Sequence, residues 1–508
     1  MVEVKSQQNL IKNPEAKERG NIFYCDIGDD LKQQEKLQKT NEFKSISAIS
    51  KSNLWQKIMP DKHGDWINQR DETFDQHIKL GDKKNKNEVT VFENYSLGIN
   101  SNRDNWAYNF SKKELNKNMQ ATISFYNSEL KSFTRELVNN SKVDSDEFVN
   151  NDESKVKWSS SLRSDFKRKK EANFYKDKIV ISTYRPFIKE WLYFDGMFNH
   201  RVGQIPKIFP IPSLKNKVIH VAGSVARSGF SALMTDNIPD IQNQDNGQCF
   251  PLKLFEYKES KSNSESKPIE VTEDLFGDIK SKASDLFKEN SEGDFIVRDG
   301  ITDAGLEHFQ KAYAGEKIGK EDIFYYIYGI LHSEDYKTRF ADNLSKELPR
   351  IPLLKKADDF WKFSKAGRDL AELHLNYETI EPYAVNFEGG NLAIKMLKKE
   401  DFRVEKMKFA KNGKEIDKTK IIYNHKITFD DIPLEAYDYI VNGKPALEWV
   451  MERQSVSTHK ASGIVNDAND WANETMKNPR YPLDLFLRVI TVSLRTMKIV
   501  NSLPKLDI

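Results

Sequence analysis

Cysteine is nearly missing from this chain: 508 residues contain only Cys25 and Cys249. Two thiols cannot build a disulfide framework or a cysteine-rich zinc site. Both lie in or beside apolar strand-like runs, where each reads as a small core residue. Long apolar stretches are missing too. Nothing approaches the ~18 consecutive apolar residues that a membrane span needs, and the start, MVEVKSQQNLIKNPEAKERG, has no signal-peptide core. Nor does one sign of charge dominate. With 79 Lys+Arg against 77 Asp+Glu the net charge is +2, so any nucleic-acid reading must rest on local patches. These absences set aside thiol redox, zinc-finger and membrane classes, and the expected setting is reducing and cytoplasmic.

The common catalytic signatures are also lacking. There is no GxxxxGK[ST] phosphate loop, no GxGxxG after a strand, no HExxH and no GxSxG elbow. No catalytic residue and no metal ligand is assigned. Two partial matches remain. NPRY (478–481) resembles the [ND]PP[YF] motif with which amino-methyltransferases grip a flipped base. Here Arg480 replaces the second proline and no glycine loop lies upstream, so it reads as a turn before a helix beginning near Pro482. Asp240 after Pro239, followed by Glu256 and Lys258, imitates a PD…ExK magnesium-nuclease layout. Alternation along LKLFEYK would put Glu256 and Lys258 on one face. These elements are short, so a turn plus a strand end is preferred, with a divalent-metal nuclease kept as the alternative function.

What is present divides the chain. At 508 residues about three domains are expected. Residues 1–150 read as α/β material, with strands at NIFYCDIGD (21–29) and VTVFENYSLGIN (89–100) and a helix-favouring run from Asp30 to Lys44. Residues 140–157 read as a polar surface loop. Residues 151–260 form a β-rich core, because KIVISTY, EWLYFD, NKVIHVAG, FSALMTD and GQCFPLKLFEY each carry strand composition between turn signals. YKESKSNSESKPIE (257–270) is a linker by composition. Residues 261–385 are helical, with helices predicted over 322–348 and 358–378, and residues 386–508 are an α+β region with helices over 445–454 and 481–500. Aromatic residues in DIFYYIYGIL and DDFWKF read as helix core, with His332 and His374 as structural histidines on the same helices.

From Trp158 onward longer segments carry a family resemblance. KWSSSLRSDFKRKK, STYRPFIKEWLYFDGMFNHRVGQIPKIFP, FSALMTDNIPD, NGQCFPL, FSKAGRDLAELHLNYE and YDYIVNGKPALEWVMERQ resemble the C-terminal specificity region of type ISP restriction–modification enzymes. Upstream, IFYCDIGD, HGDWINQRDETFD and FENYSLGINSNRDNWAYNFSK resemble the family's segment joining methyltransferase to recognition domain. Such enzymes combine a nuclease, a helicase-like motor, an N6-adenine methyltransferase and a target recognition domain in one chain. The resemblance implies a mixed α/β fold: a β-rich DNA target-recognition core followed by a helical C-terminal region. It also implies double-stranded DNA as partner, together with methyltransferase, helicase and nuclease parts expected to precede Met1. S-adenosylmethionine would belong to that missing methyltransferase, so no cofactor is assigned to this chain and it is not expected to be an enzyme by itself. A third reading is an interaction subunit that docks on the methyltransferase and reads no bases.

The residues themselves offer DNA-binding candidates. Between Lys155 and Lys170 seven cations (Lys155, Lys157, Arg163, Lys167, Arg168, Lys169, Lys170) face one carboxylate, Asp165. That density suits phosphate neutralisation. Arg201 and Gln204 suit bidentate base-edge contacts, and Lys207 suits phosphate. Arg185, between Tyr184 and Pro186, reads equally as a base contact or a buried ion-pair member. Arg227 in GSVARSGF reads as a groove or phosphate contact or as ordinary surface. Arg103 in NSNRDNW reads as a DNA contact or a partner of Asp104.

Overall fold

A computed structural model describes residues 21–28, 31–85, 87–224, 226–258 and 292–508. Its contacts divide the chain between Asp71 and Glu72. In the first unit the strand Ile22–Tyr24 pairs antiparallel with Gln56–Ile58, and helices Gln33–Glu42 and Ile46–Lys51 lie between them. No described side chain of this unit is buried. Cys25 is therefore a partly exposed residue, not the core residue expected, whereas Cys249 is fully buried.

In the second unit a short strand, Ile78–Lys79, pairs antiparallel with Arg350–Ile351, and strand β1 (Ser96–Leu97) and strand β2 (Tyr108–Asn109) follow it. The strand expected over 89–100 is thus only two residues long, flanked by single bridges at Thr90, Phe92, Ile99 and Asn100. Helices α1 (Lys112–Asn139) and α2 (Ser160–Lys167) follow. Next come β3 (Ile179–Arg185), β4 (Ile188–Tyr193), β5 (Val218–Val221), β6 (Ala232–Thr235), β7 (Ile238–Pro239) and β8 (Gln248–Pro251). Strands β9 (Lys253–Tyr257) and β10 (Phe295–Asp299) form a hairpin. Two sheets result, ordered β7-β3-β4-β2 and β1-β8-β5-β6. All their pairings are antiparallel except β7 with β3.

These sheets lie in the middle of four layers. Period-two alternation along β4 turns Trp191 and Tyr193 toward α1 and α2, where they meet Met119, Tyr126 and Phe166. Leu192 faces the second sheet, with Tyr108, Val218 and Cys249. The far face of that sheet, Ile219, Val221, Met234 and Phe250, packs on α3 (Lys320–His332) and α4 (Ala357–Leu375). Helices α3 and α4 cross almost backbone to backbone. A Cβ on Gly367 would sit 1.8 Å from the Tyr325 carbonyl, and one on Gly329 2.3 Å from that of Phe363, so only glycine fits at either place. His374 satisfies both ring nitrogens, on the Tyr328 hydroxyl at 2.6 Å and the Thr496 hydroxyl at 2.9 Å. It is a structural histidine, as is His332 on the Tyr328 carbonyl.

A third sheet, in the order β11 (Asn386–Phe387), β14 (Thr428–Asp430), β13 (Glu415–Ile422), β12 (Lys408–Asn412), shares a separate core with α5 (Ala446–Arg453) and α6 (Tyr481–Asn501). NPRY is the turn that opens α6. The Asn478 side chain accepts from Arg480 N at 3.0 Å, and Tyr481 is buried with its hydroxyl on Glu378. The boundary drawn at residue 150 runs through the sandwich, because β1 and β2 complete sheets whose other strands come from residues 179–251. Residues 259–270 of the linker lie outside the described residues.

Candidate nucleic-acid interface

The cation-rich stretch is built around α2. Ser159 caps it, its hydroxyl accepting from Leu162 N at 3.3 Å, and Leu162 and Phe166 are fully buried. With that face fixed inward, the end of the helix is left in solvent. Lys167, Arg168, Lys169 and Lys170 are all exposed, as are Lys155 and Lys157 in the preceding loop. Lys169 adopts φ 58°, a left-handed step that turns the chain away from the helix. Lys170 lies 3.8 Å from Asp165. Among the described residues Lys155, Lys157, Lys167, Arg168 and Lys169 form no ion pair, which leaves them open to phosphate. Arg163 behaves differently. Its guanidinium donates to Asn151 Oδ1 at 2.6 Å and to the Asp146 carbonyl at 3.3 Å, tying α2 to the loop before it.

Three of the candidate DNA contacts are buried. Arg103 is 1% exposed. It donates to the carbonyls of Lys157 at 3.2 Å and Phe198 at 2.6 Å, and to the Ser159 hydroxyl at 2.6 Å. It clamps three segments together and does not pair with Asp104. Burial lowers its guanidinium to about 10, so it stays charged at neutral pH. Arg185 is equally committed. It donates to Asp240 Oδ1 and to its neighbour's carbonyl, both at 2.7 Å, and lies 3.9 Å from the centre of the Tyr184 ring. Asp104 Oδ2 stands 3.7 Å away. Burial opposes the Arg185 charge, yet Asp240 and its neighbours hold the guanidinium firmly protonated. The third is Gln204, buried behind Ser96, whose hydroxyl accepts from Gln204 N at 2.8 Å.

The remaining candidates lie on separate turns. Arg201 is half-buried, its backbone bridged to Asn100. Lys207 and Arg227 are exposed, and Arg227 N donates to Asp245 Oδ2 at 2.6 Å.

Of the turn and strand end read from sequence, Asp240 caps the turn but is buried, not at the surface. It is 1% exposed and accepts from Arg185 and from Gln242 N at 2.8 Å. Glu256 pairs with Arg298 across the β9–β10 hairpin at 2.9 Å. Both carboxylates are thus occupied by cations of the fold. Among the described residues no group of three or more His, Cys, Asp or Glu is arranged to hold a metal ion. Likewise, no described helix is long and apolar enough to cross a membrane.

Residues 90–485 match the family described as the Type ISP C-terminal specificity domain. The chain belongs to this family. It is 33% identical to a nuclease-deletion mutant of the Type ISP restriction-modification enzyme LlaGI, solved in complex with a DNA substrate mimic. That match covers 96% of this chain and 33% of the other, with a TM-score of 0.75. It is 31% identical to the ATP-dependent Type ISP enzyme LlaBIII bound to DNA, over 96% of this chain and 28% of that one, with a TM-score of 0.76. A DrdV–DNA complex matches at 27% identity over 92% of this chain and 42% of that one, with a TM-score of 0.68. No curated protein sequence matches the chain. The chain thus spans about a third of the length of the Type ISP enzymes it resembles.

Proposed function

We propose that this Type ISP specificity domain is a DNA target-recognition module. It binds a short duplex sequence and presents it to the methyltransferase, motor and nuclease parts of a restriction–modification enzyme, which lie outside these residues. S-adenosylmethionine would serve the methyltransferase part, and the setting is the cytoplasm. The observation that carries the reading is the likeness, over 96% of the chain, to two Type ISP enzymes solved with DNA or a DNA mimic. The exposed cations at the end of α2 add a physical means. Lys and Arg without carboxylate partners release counterions when they meet phosphate. The occupied states of Asp240 and Glu256 count against the nuclease alternative.

The test is a salt series on duplex binding. If about five phosphates are neutralised, log affinity falls against log salt with a slope near −4 to −5. Changing Lys157, Lys167, Arg168 and Lys169 together to Ala should weaken binding to all sequences and flatten the slope by roughly 3 to 4. A parent chain with no salt-dependent duplex binding overturns the reading. A variant with the parental slope removes these residues from the interface.

A further inference from the structure

Beside the cationic stretch lies a cleft of about 390 Å³, walled by the segments 100–106 and 240–246 with Lys157 and His459 at its edge. Its frame is rigid. Arg103 ties one wall to the backbone of Lys157, and Asp240, paired with Arg185, caps the turn of the other by accepting from Gln242 N. The side chains set on this frame are left with unused hydrogen-bonding capacity. The amides of Asn102, Asn105 and Gln242 make no hydrogen bond among the described residues, and Asn246 spends only its Nδ2, on Asp245. Trp106, 2% exposed, also lines the cleft, and its indole N–H is buried without an acceptor.

The charges around the cleft narrow the ligand class. Two cations, Arg103 and Lys157, stand against three carboxylates, Asp104, Glu153 and Asp240. Arg103 and Asp240 are already spent inside the fold. A phosphate would therefore meet a slightly acidic wall, while the open cations nearby offer it a better seat. Amides, each both donor and acceptor, together with a free Glu153 carboxylate, suit instead the mixed donor–acceptor edges of nucleobases: Asn or Gln to adenine, Glu to cytosine.

We propose that this cleft reads nucleobase edges, with Asn102, Asn105 and Gln242 as specificity-determining residues, a task expected from sequence for Arg201 and Gln204. The assignment rests on the target-recognition reading. The division of labour is then spatial, with phosphates on the end of α2 and bases on the amide-lined walls.

The experiment is selection of bound duplexes from a randomised pool, by the parent chain and by Asn102→Ala, Asn105→Ala, Gln242→Ala and the triple variant. The expected result is a short enriched sequence for the parent. In each single variant, discrimination at one position should fall by roughly 5- to 150-fold with an unchanged salt slope. Because these side chains hold nothing in the fold, thermal melting should match the parent, which separates lost readout from lost folding. A base paired in the groove offers its major-groove edge, whereas one turned out of the helix also bares its Watson–Crick edge. 2-Aminopurine fluorescence at the affected position separates them, rising only for the extruded base. A parent that enriches no sequence overturns the recognition reading and this assignment with it. A parent that enriches a sequence which the triple variant enriches equally overturns the cleft assignment alone. So does a triple variant that loses affinity for every sequence alike.

Discussion

Two groups of cations do opposite work. Lys167, Arg168 and Lys169 end a helix whose apolar face is buried, and their charges stand in water without partners. Arg103 and Arg185 are buried, and their guanidinium groups are saturated by carbonyls, a hydroxyl and carboxylates. The residue type is shared and the chemistry is not. Removing a charge from the first group should alter binding and leave the fold intact. Removing one from the second should damage the fold and alter binding only through it.

The largest effect is expected at Arg185. Its replacement by Ala strands Asp240, 1% exposed, without its cation. Breaking a buried pair from one side typically costs about 3–5 kcal/mol. Arg185→Leu combined with Asp240→Asn buries no charge and should recover a substantial part of that loss. Urea unfolding measures both. An Arg185→Ala chain with the parental midpoint would mean that the pair is not structural, and the contrast with α2 would collapse.

A smaller effect tests whether buried charge also sets the pH response. Glu190 on β4 is 2% exposed, and Asn466 Nδ2 donates to it at 2.9 Å, tying the first sheet to the C-terminal region. Burial pushes its carboxyl from about 4.5 up to about 7, with the Asn466 bond pulling the other way. The folded state therefore holds a proton that the unfolded chain releases at lower pH. Stability from this group is complete below about pH 4.5 and is lost as pH rises toward 7, by at most about 1.4 kcal/mol per pH unit. Glu190→Gln keeps an acceptor for Asn466 and has no proton to lose. The variant should thus gain on the parent between pH 5 and pH 7.5. Unfolding curves whose difference is the same at both pH values would show that Glu190 does not titrate in that window.

Much of this architecture was legible in the sequence, because alternation and helical periodicity survive in single segments. NKVIHVAG and FSALMTD each contain the observed strand, KIVISTY and EWLYFD overlap theirs, and the helices at 357–375, 446–453 and 481–501 fall where apolar spacing put them. The 28-residue helix α1 also had its signal, overlooked in the sequence reading: Ser111 as cap, then Leu115, Met119, Ile123, Tyr126, Leu130 and Phe133 down one face. Burial of the arginines was not legible. What buries Arg103 is the Phe198 carbonyl, 95 residues away, and what fixes Arg185 is Asp240, 55 residues away. Such distant partners leave no local pattern. The same holds for the amide-lined cleft, whose walls come from residues 100–106 and 240–246 and meet only because Ile99 bridges to Asp240. Gly98 permits that approach. A Cβ there would lie 2.8 Å from the Asp240 backbone.

The smallest stability change, and the sharpest separation of the two groups, is expected at Lys169. Its φ of 58° is a conformation that costs a side-chain-bearing residue about 1–2 kcal/mol and glycine almost nothing. Glycine in turn gives up about 0.5–1 kcal/mol of backbone entropy on folding. For Lys169→Gly the two terms nearly cancel, and the side chain removed has no ion-pair partner in the fold. Stability should stay within about 0.5 kcal/mol of the parent or rise slightly, while the salt slope of duplex binding becomes shallower by about 0.9, the share of one phosphate. An unchanged slope would exclude Lys169 from phosphate contact. A loss of stability near that expected for Arg185→Ala would place it among the structural cations and erase the distinction between helix end and buried network.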